Sequence, residues 1–110
     1  MKADSLLGVW TGMARNSNGW DMQITISIRG PFEIGSILGT YTIPEIPCSG
    51  TFRVLEVRGE TLELKAENKQ GECGEADSDS LELLSDGTLL YLSKGEGWES
   101  RGILQRASSS

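Results

Sequence analysis

Apolar and polar residues alternate without a break from Trp20 to Arg29, with Trp20, Met22, Ile24, Ile26 and Ile28 interleaved by Asp21, Gln23, Thr25, Ser27 and Arg29. Successive side chains of a strand point to opposite faces, so a period of two predicts a β-strand with one dry and one wet side. A helix would spread the same apolar residues around its circumference. The strand stops at Gly30-Pro31, and Pro31-Phe32-Glu33-Ile34 is the one place where a helical turn is allowed. Residues 61–67 repeat the pattern, with Leu62, Leu64 and Ala66 inward.

The other elements follow from turn chemistry. A first strand over 6–15 ends in Asn16-Ser17-Asn18-Gly19, whose Asn and Gly tolerate the left-handed conformations of a hairpin. A third strand over 36–43 is closed by Pro44-Glu45-Ile46-Pro47, where two prolines exclude regular pairing. In the fourth, over 48–58, apolar parity shifts between Val54 and Leu55, which predicts a β-bulge. Arg58-Gly59-Glu60 turns the chain into the fifth strand. A short sixth is expected around Cys73, then strands over 80–84, 88–93 and 98–106, with Ser85-Asp86-Gly87 as a turn.

This is an all-β chain of eight or nine antiparallel strands in sequential order. An open sheet of that size exposes two edges, and strongly twisted strands curl until the edges meet. A small antiparallel meander barrel is expected, with a two-sheet β-sandwich as the alternative.

A length of 110 residues makes one domain, expected over 6–106, with a disordered N-terminal segment over 1–5 and a disordered tail over 107–110. The net charge of −6 opposes sequence-independent binding to nucleic acid or to anionic lipid. No apolar run is long enough for a membrane-spanning helix, so no membrane insertion by this segment is expected, and Met1-Lys2-Ala3-Asp4-Ser5 is too polar for a signal peptide.

Cys48 and Cys73 are the only cysteines, and an even count in a small Gly-rich β domain suggests one disulfide. Two buried free thiols are the alternative. The bridge implies an oxidising compartment. With no His and two Cys, a His/Cys zinc site has too few ligands.

The absence of His also removes Ser-His-Asp and Cys-His catalysis, and neither a G-x-S-x-G elbow nor a Walker loop is present. Some of the 16 acidic residues will lie close on any fold, so paired carboxylates alone do not indicate acid/base chemistry. The expectation is a non-enzymatic protein with no catalytic residues and no cofactor. Glu72, Glu75, Asp77 and Asp79 offer oxygen ligands to calcium, but the glycine and terminal glutamate of a calcium loop are not at their spacing. They are read as a solvated acidic loop, with no metal site.

Among the large aromatics, flat rings with a polar edge suit small ligands. Trp10 and Tyr91 are read as core. Trp20 follows a turn, and Trp98 follows Lys94-Gly95-Glu96-Gly97, which puts both at a barrel rim. Trp20, Tyr41 and Trp98 are the candidate ligand-binding residues.

Gly8-Val9-Trp10-Thr11-Gly12, Gly39-Thr40-Tyr41, Cys48-Ser49-Gly50, Cys73, Asp86-Gly87-Thr88-Leu89-Leu90-Tyr91 and Gly102-Ile103-Leu104-Gln105-Arg106 occur in that order. Their arrangement resembles the small extracytoplasmic barrel domains appended to some bacterial membrane-bound serine/threonine kinases and found alone in uncharacterised bacterial proteins. That resemblance implies a disulfide-bearing sensing or binding module outside the cytoplasm, present as a fragment or mature form without its export signal. Gly8-x-Trp10 and Arg106 are also similar to the calycin barrels, including lipocalins and avidins. In that family a first-strand Trp packs under a terminal Arg, which implies that Trp10 and Arg106 close one end of the barrel. Gly39-Thr40-Tyr41-Thr42 resembles the avidin strand that supplies a ligand-contacting tyrosine. Ser49-Gly50-Thr51-Phe52 and Tyr91-Leu92-Ser93-Lys94-Gly95 approximate two loops that periplasmic lysozyme inhibitors present to their enzyme.

These readings favour a binding or sensing module for a small molecule or cell-envelope component, at the end bearing Trp20 and Trp98. The alternative is a protein-interaction module, a lysozyme-inhibitor-like or homo-oligomerising barrel, using an outward apolar patch of Val9, Leu84, Leu90 and Leu92.

Overall fold

Eight strands follow one another along the chain: β1 (Gly8–Asn16), β2 (Asp21–Ile28), β3 (Ile37–Ile43), β4 (Cys48–Arg58), β5 (Thr61–Gly71), β6 (Ser78–Leu83), β7 (Leu89–Gly95) and β8 (Trp98–Arg106). The computed structural model describes residues 6–73 and 76–107; of the expected disordered segments over 1–5 and 107–110, residues 1–5 and 108–110 lie outside the described residues and Ala107 is described. Each strand pairs antiparallel with the next, and β8 returns to β1, so the sheet is a closed barrel and not a sandwich. Closure leaves no unpaired edge.

The alternating pattern does what it predicts. Met22, Ile24, Ile26 and Ile28 of β2 are all buried, as are Leu62 and Leu64 of β5 and Leu81 of β6. The parity shift in β4 is a bulge, with the register to β5 slipping between Val54 and Glu56. Trp20 is a correction: it stands in the turn before β2, 42% exposed, and is not part of that strand.

A second correction concerns β5. No strand forms around Cys73, so the described strands number eight, and β5 itself runs on to Gly71. Past Glu67 both of its faces are wet, so the hydrophobic alternation fades while backbone pairing to β4 continues through Ser49↔Gln70 and Cys48↔Gly71. A second register shift falls between Ser49 and Thr51, opposite Asn68 at φ 53°. Asn is among the few side chains that enter this left-handed region readily. Residues 31–34 form no helix. Leu6, expected to open β1, lies in a turn before it, although its side chain is fully buried.

The loops after β2, β4 and β6 gather at one end of the barrel together with Leu6 and Arg106, and this end is closed. Trp10 Nε1 donates to the Leu6 carbonyl at 3.0 Å, and the Arg106 guanidinium lies 4.5 Å from the centre of the Trp10 ring. Arg106 Nη1 also donates to the Leu7 carbonyl at 2.6 Å, and the Ala107 amide to that of Val9 at 2.9 Å. Ile24, Ile26, Leu38, Val54, Leu89 and Leu104 fill the interior next to this plug.

Arg106→Ala removes both the stacking on the ring and the bond to Leu7. It is expected to cost about 1–2 kcal/mol in urea unfolding. Arg106→Lys should recover only part of the loss, because a point charge cannot stack as a planar guanidinium does.

Candidate functional site at the open end of the barrel

The loops after β1, β3, β5 and β7 meet at the other end, and here the interior is not filled. A cavity of about 290 Å³ opens between them. This lies near the lower end of the roughly 300–1,000 Å³ usual for small-ligand sites. Trp20, Tyr41 and Trp98 all line it, from the β1–β2 turn, β3 and the start of β8.

Backbone hydrogen bonds fasten each part of the rim. In the β1–β2 turn the Asn16 amide donates to the Trp20 carbonyl at 2.9 Å. The Ser17 amide donates to the Glu99 carbonyl at 2.7 Å, and the Glu99 amide to Ser17 Oγ at 3.0 Å, which joins the turn carrying Trp20 to the strand carrying Trp98. Trp98 lies across Gly95, its register partner, where any Cβ would collide with the indole. The β3–β4 connection is held when Glu45 accepts from the Gln23 amide at 3.0 Å.

Cys48 and Cys73 form a disulfide, 25 residues apart, joining the start of β4 to the β5–β6 connection. Both cysteines line the cavity, so the bridge forms part of the rim. The Glu72 amide donates to the Pro47 carbonyl beside it at 3.0 Å. Tyr41 stacks on Phe52 with centroids 4.5 Å apart, and its hydroxyl lies 3.9 Å from Cys48 Sγ.

Four polar side chains are buried among the described residues, and all four line this cavity: Asn16, Asp79, Ser93 and Ser100. Asn16 Nδ2 donates to Ser100 Oγ at 3.0 Å, and Asn16 Oδ1 accepts from the Asn18 amide at 2.8 Å. Asp79 is 5% exposed. Burial pushes its carboxyl pKa above the ordinary range, opposed by a hydrogen bond from Ser93 and the charge of Lys69. Burial likewise pushes Tyr41 up to about 12, and the negative charge of Asp79 adds to it. Tyr91 is raised by the same two causes in the same order.

The sequence pattern alone did not single out this polar set. Asp79, expected in a solvated acidic loop, is instead an inward residue of β6, in phase with Leu81, and Ser93 is in phase with Leu89 and Tyr91 on β7. That parity was the available signal. Of the other acids in the expected loop, Glu72 lines the cavity and Glu75 lies outside the described residues. No group of three metal-ligating side chains forms among the described residues.

Ser49-Gly50-Thr51-Phe52 and Tyr91-Leu92-Ser93-Lys94-Gly95 are not loops but lie within β4 and β7. On the outer surface Val9 is exposed, and Leu84, Leu90 and Leu92 are half-buried. Leu90 pairs with the exposed Ile103, extending that strip across β7 and β8.

Neither a protein-family model nor a curated protein matches the chain. A solved structure of a redesigned β-barrel is similar over 96% of this chain and 95% of that one, at 18% identity and a TM-score of 0.63. At that identity the likeness is one of fold. Fold and site together define a small eight-stranded antiparallel barrel, closed at one end and open at an aromatic-rimmed cavity at the other.

Reduction of Cys48–Cys73 releases a 25-residue separation and should lower stability by roughly 3–4 kcal/mol on the chain-entropy account. Thermal unfolding with and without reductant should differ by more than about 10 °C. The raised pKa of Asp79 gives a second test. The native state holds that proton more tightly than the unfolded chain. Its contribution to stability is therefore complete below the unfolded pKa and lost as pH rises through the native one. Asp79→Asn should therefore be more stable than the parent near neutral pH, with an advantage that shrinks as urea unfolding is repeated at progressively more acid pH.

Proposed function

We propose that this domain is a non-enzymatic binding module that takes a small, largely apolar ligand into the open end of its barrel. The observation that carries this reading is the cavity on which Trp20, Tyr41 and Trp98 converge from three parts of the chain. Barrels of eight strands are either filled by their own side chains or hold one small ligand. This one is packed at the Trp10 end and hollow at the Trp98 end. Its wall combines ring faces and aliphatic side chains with a few polar groups, the usual make-up of a small-molecule site.

We further propose that the domain works outside the cytoplasm, as the resemblance to kinase-appended and calycin barrels implies, with a cell-envelope component or small metabolite as ligand. The disulfide supports an oxidising location, where such bridges persist.

The test is a ¹H–¹⁵N NMR titration with small aromatic amines and alcohols. Shifts should concentrate on the indole N–H signals of Trp20 and Trp98 and on the amides around the cavity. Gly95→Ala, which displaces the Trp98 indole from its resting place, should weaken binding by about tenfold or more, the scale expected for taking one aromatic ring away from a ligand. An absence of shifts at these positions across the panel would overturn the reading.

A further inference from the structure

The polar groups of the cavity differ in how many of their hydrogen-bonding positions are taken up. Asn16 and Ser100 bond to each other, whereas a carboxylate offers about four acceptor positions and Asp79 takes up one with Ser93. Asp79 is only 5% exposed yet lines the cavity, and none of the ion pairs among the described residues includes it. The charged residues on the described cavity wall are Asp79 and Glu72, with no lysine or arginine among them. Around them stand Trp20, Tyr41, Tyr91 and Trp98. Aromatic faces attract cations through their quadrupole, and do so more strongly when water is excluded. The chain as a whole carries a charge of −6.

We infer that the ligand of this cavity is a small organic monocation, a primary ammonium on an apolar or aromatic body, with the ammonium on the Asp79 carboxylate and the body between the rim aromatics. This rests on the binding reading above and narrows its chemistry. An ammonium brings further donors to a carboxylate that already accepts from Ser93, and such charge-assisted bonds are about twice as strong as neutral ones. A neutral ligand would bring no charge to the Asp79 carboxylate beyond that of Lys69, which is not on the cavity wall, and an anion would face two acids at close range.

Three probes of nearly equal shape separate the possibilities: 2-phenylethylammonium, 2-phenylethanol and 3-phenylpropionate. Each is titrated into the intact protein at neutral pH, by calorimetry and tryptophan fluorescence. The ammonium should bind at least about tenfold more tightly than the alcohol, and the carboxylate should show no binding. In Asp79→Asn the ammonium and alcohol should come within about twofold of each other, with the fold checked by circular dichroism and melting temperature. The comparison on the parent protein stands without any variant. Binding of the alcohol as tightly as the ammonium would overturn the assignment of charge while leaving the cavity as a binding site. Silence from all three probes would overturn both.

Discussion

Pairing between β1 and β8 is the constraint on which the rest of this molecule depends. It joins residues as far apart as Trp10 and Arg106 and converts a twisted meander with two open edges into a closed wall. The seam is built from small inward side chains. Gly12, Ala14, Ser100 and Gly102 let the two backbones run so close that a Cβ on either glycine would strike the opposite strand. Each end of the seam then does a different job. At one end Arg106 lies over Trp10 and plugs the barrel, and at the other Asn16 bonds to Ser100 within the cavity wall.

The interior is divided along the barrel axis. Toward the plug, Trp10 and large aliphatic residues of β2 to β8 are buried, and burial of their apolar surface supplies the main stabilising force. Toward the open end polar groups appear, and with Asp79 a charge-bearing one. Burying such groups costs free energy unless they are paired, so their concentration at one end is not explained by stability. The disulfide and the backbone bonds of the rim hold this less favourable half in shape. A packed half that supplies stability and a hollow half that gives some of it up is a division of labour suited to binding.

Much of this was legible in the residue pattern. The unbroken alternation of β2 and the parity shift at Val54 read correctly, because both are local consequences of side chains alternating across a strand. The turns beside Trp20 and Trp98 place those two at a rim, and Tyr41 enters through the avidin-like strand; all three line the cavity. The extension of β5 past Glu67 was not legible, because a strand wet on both faces carries no alternation. The burial of Asp79 was not legible for a related reason. Between Asp77, Ser78 and Ser80 this residue looks like any solvated acid, and only its phase relative to Leu81 marks it as inward.

The sequence by itself determined that the chain is antiparallel β, where its turns fall, and which side of most strands is dry. These are properties of a few consecutive residues and follow from backbone geometry and solvent preference. The tertiary structure alone decided that the sheet closes as a barrel and not a sandwich, that the end opposite Trp10 and Arg106 is hollow, and that Asp79 meets Tyr41, Tyr91 and Ser93 in one cavity. Those outcomes depend on register summed over eight strand pairings. A slip of β6 by one residue against β5 and β7 would turn the Asp79 carboxylate out to water.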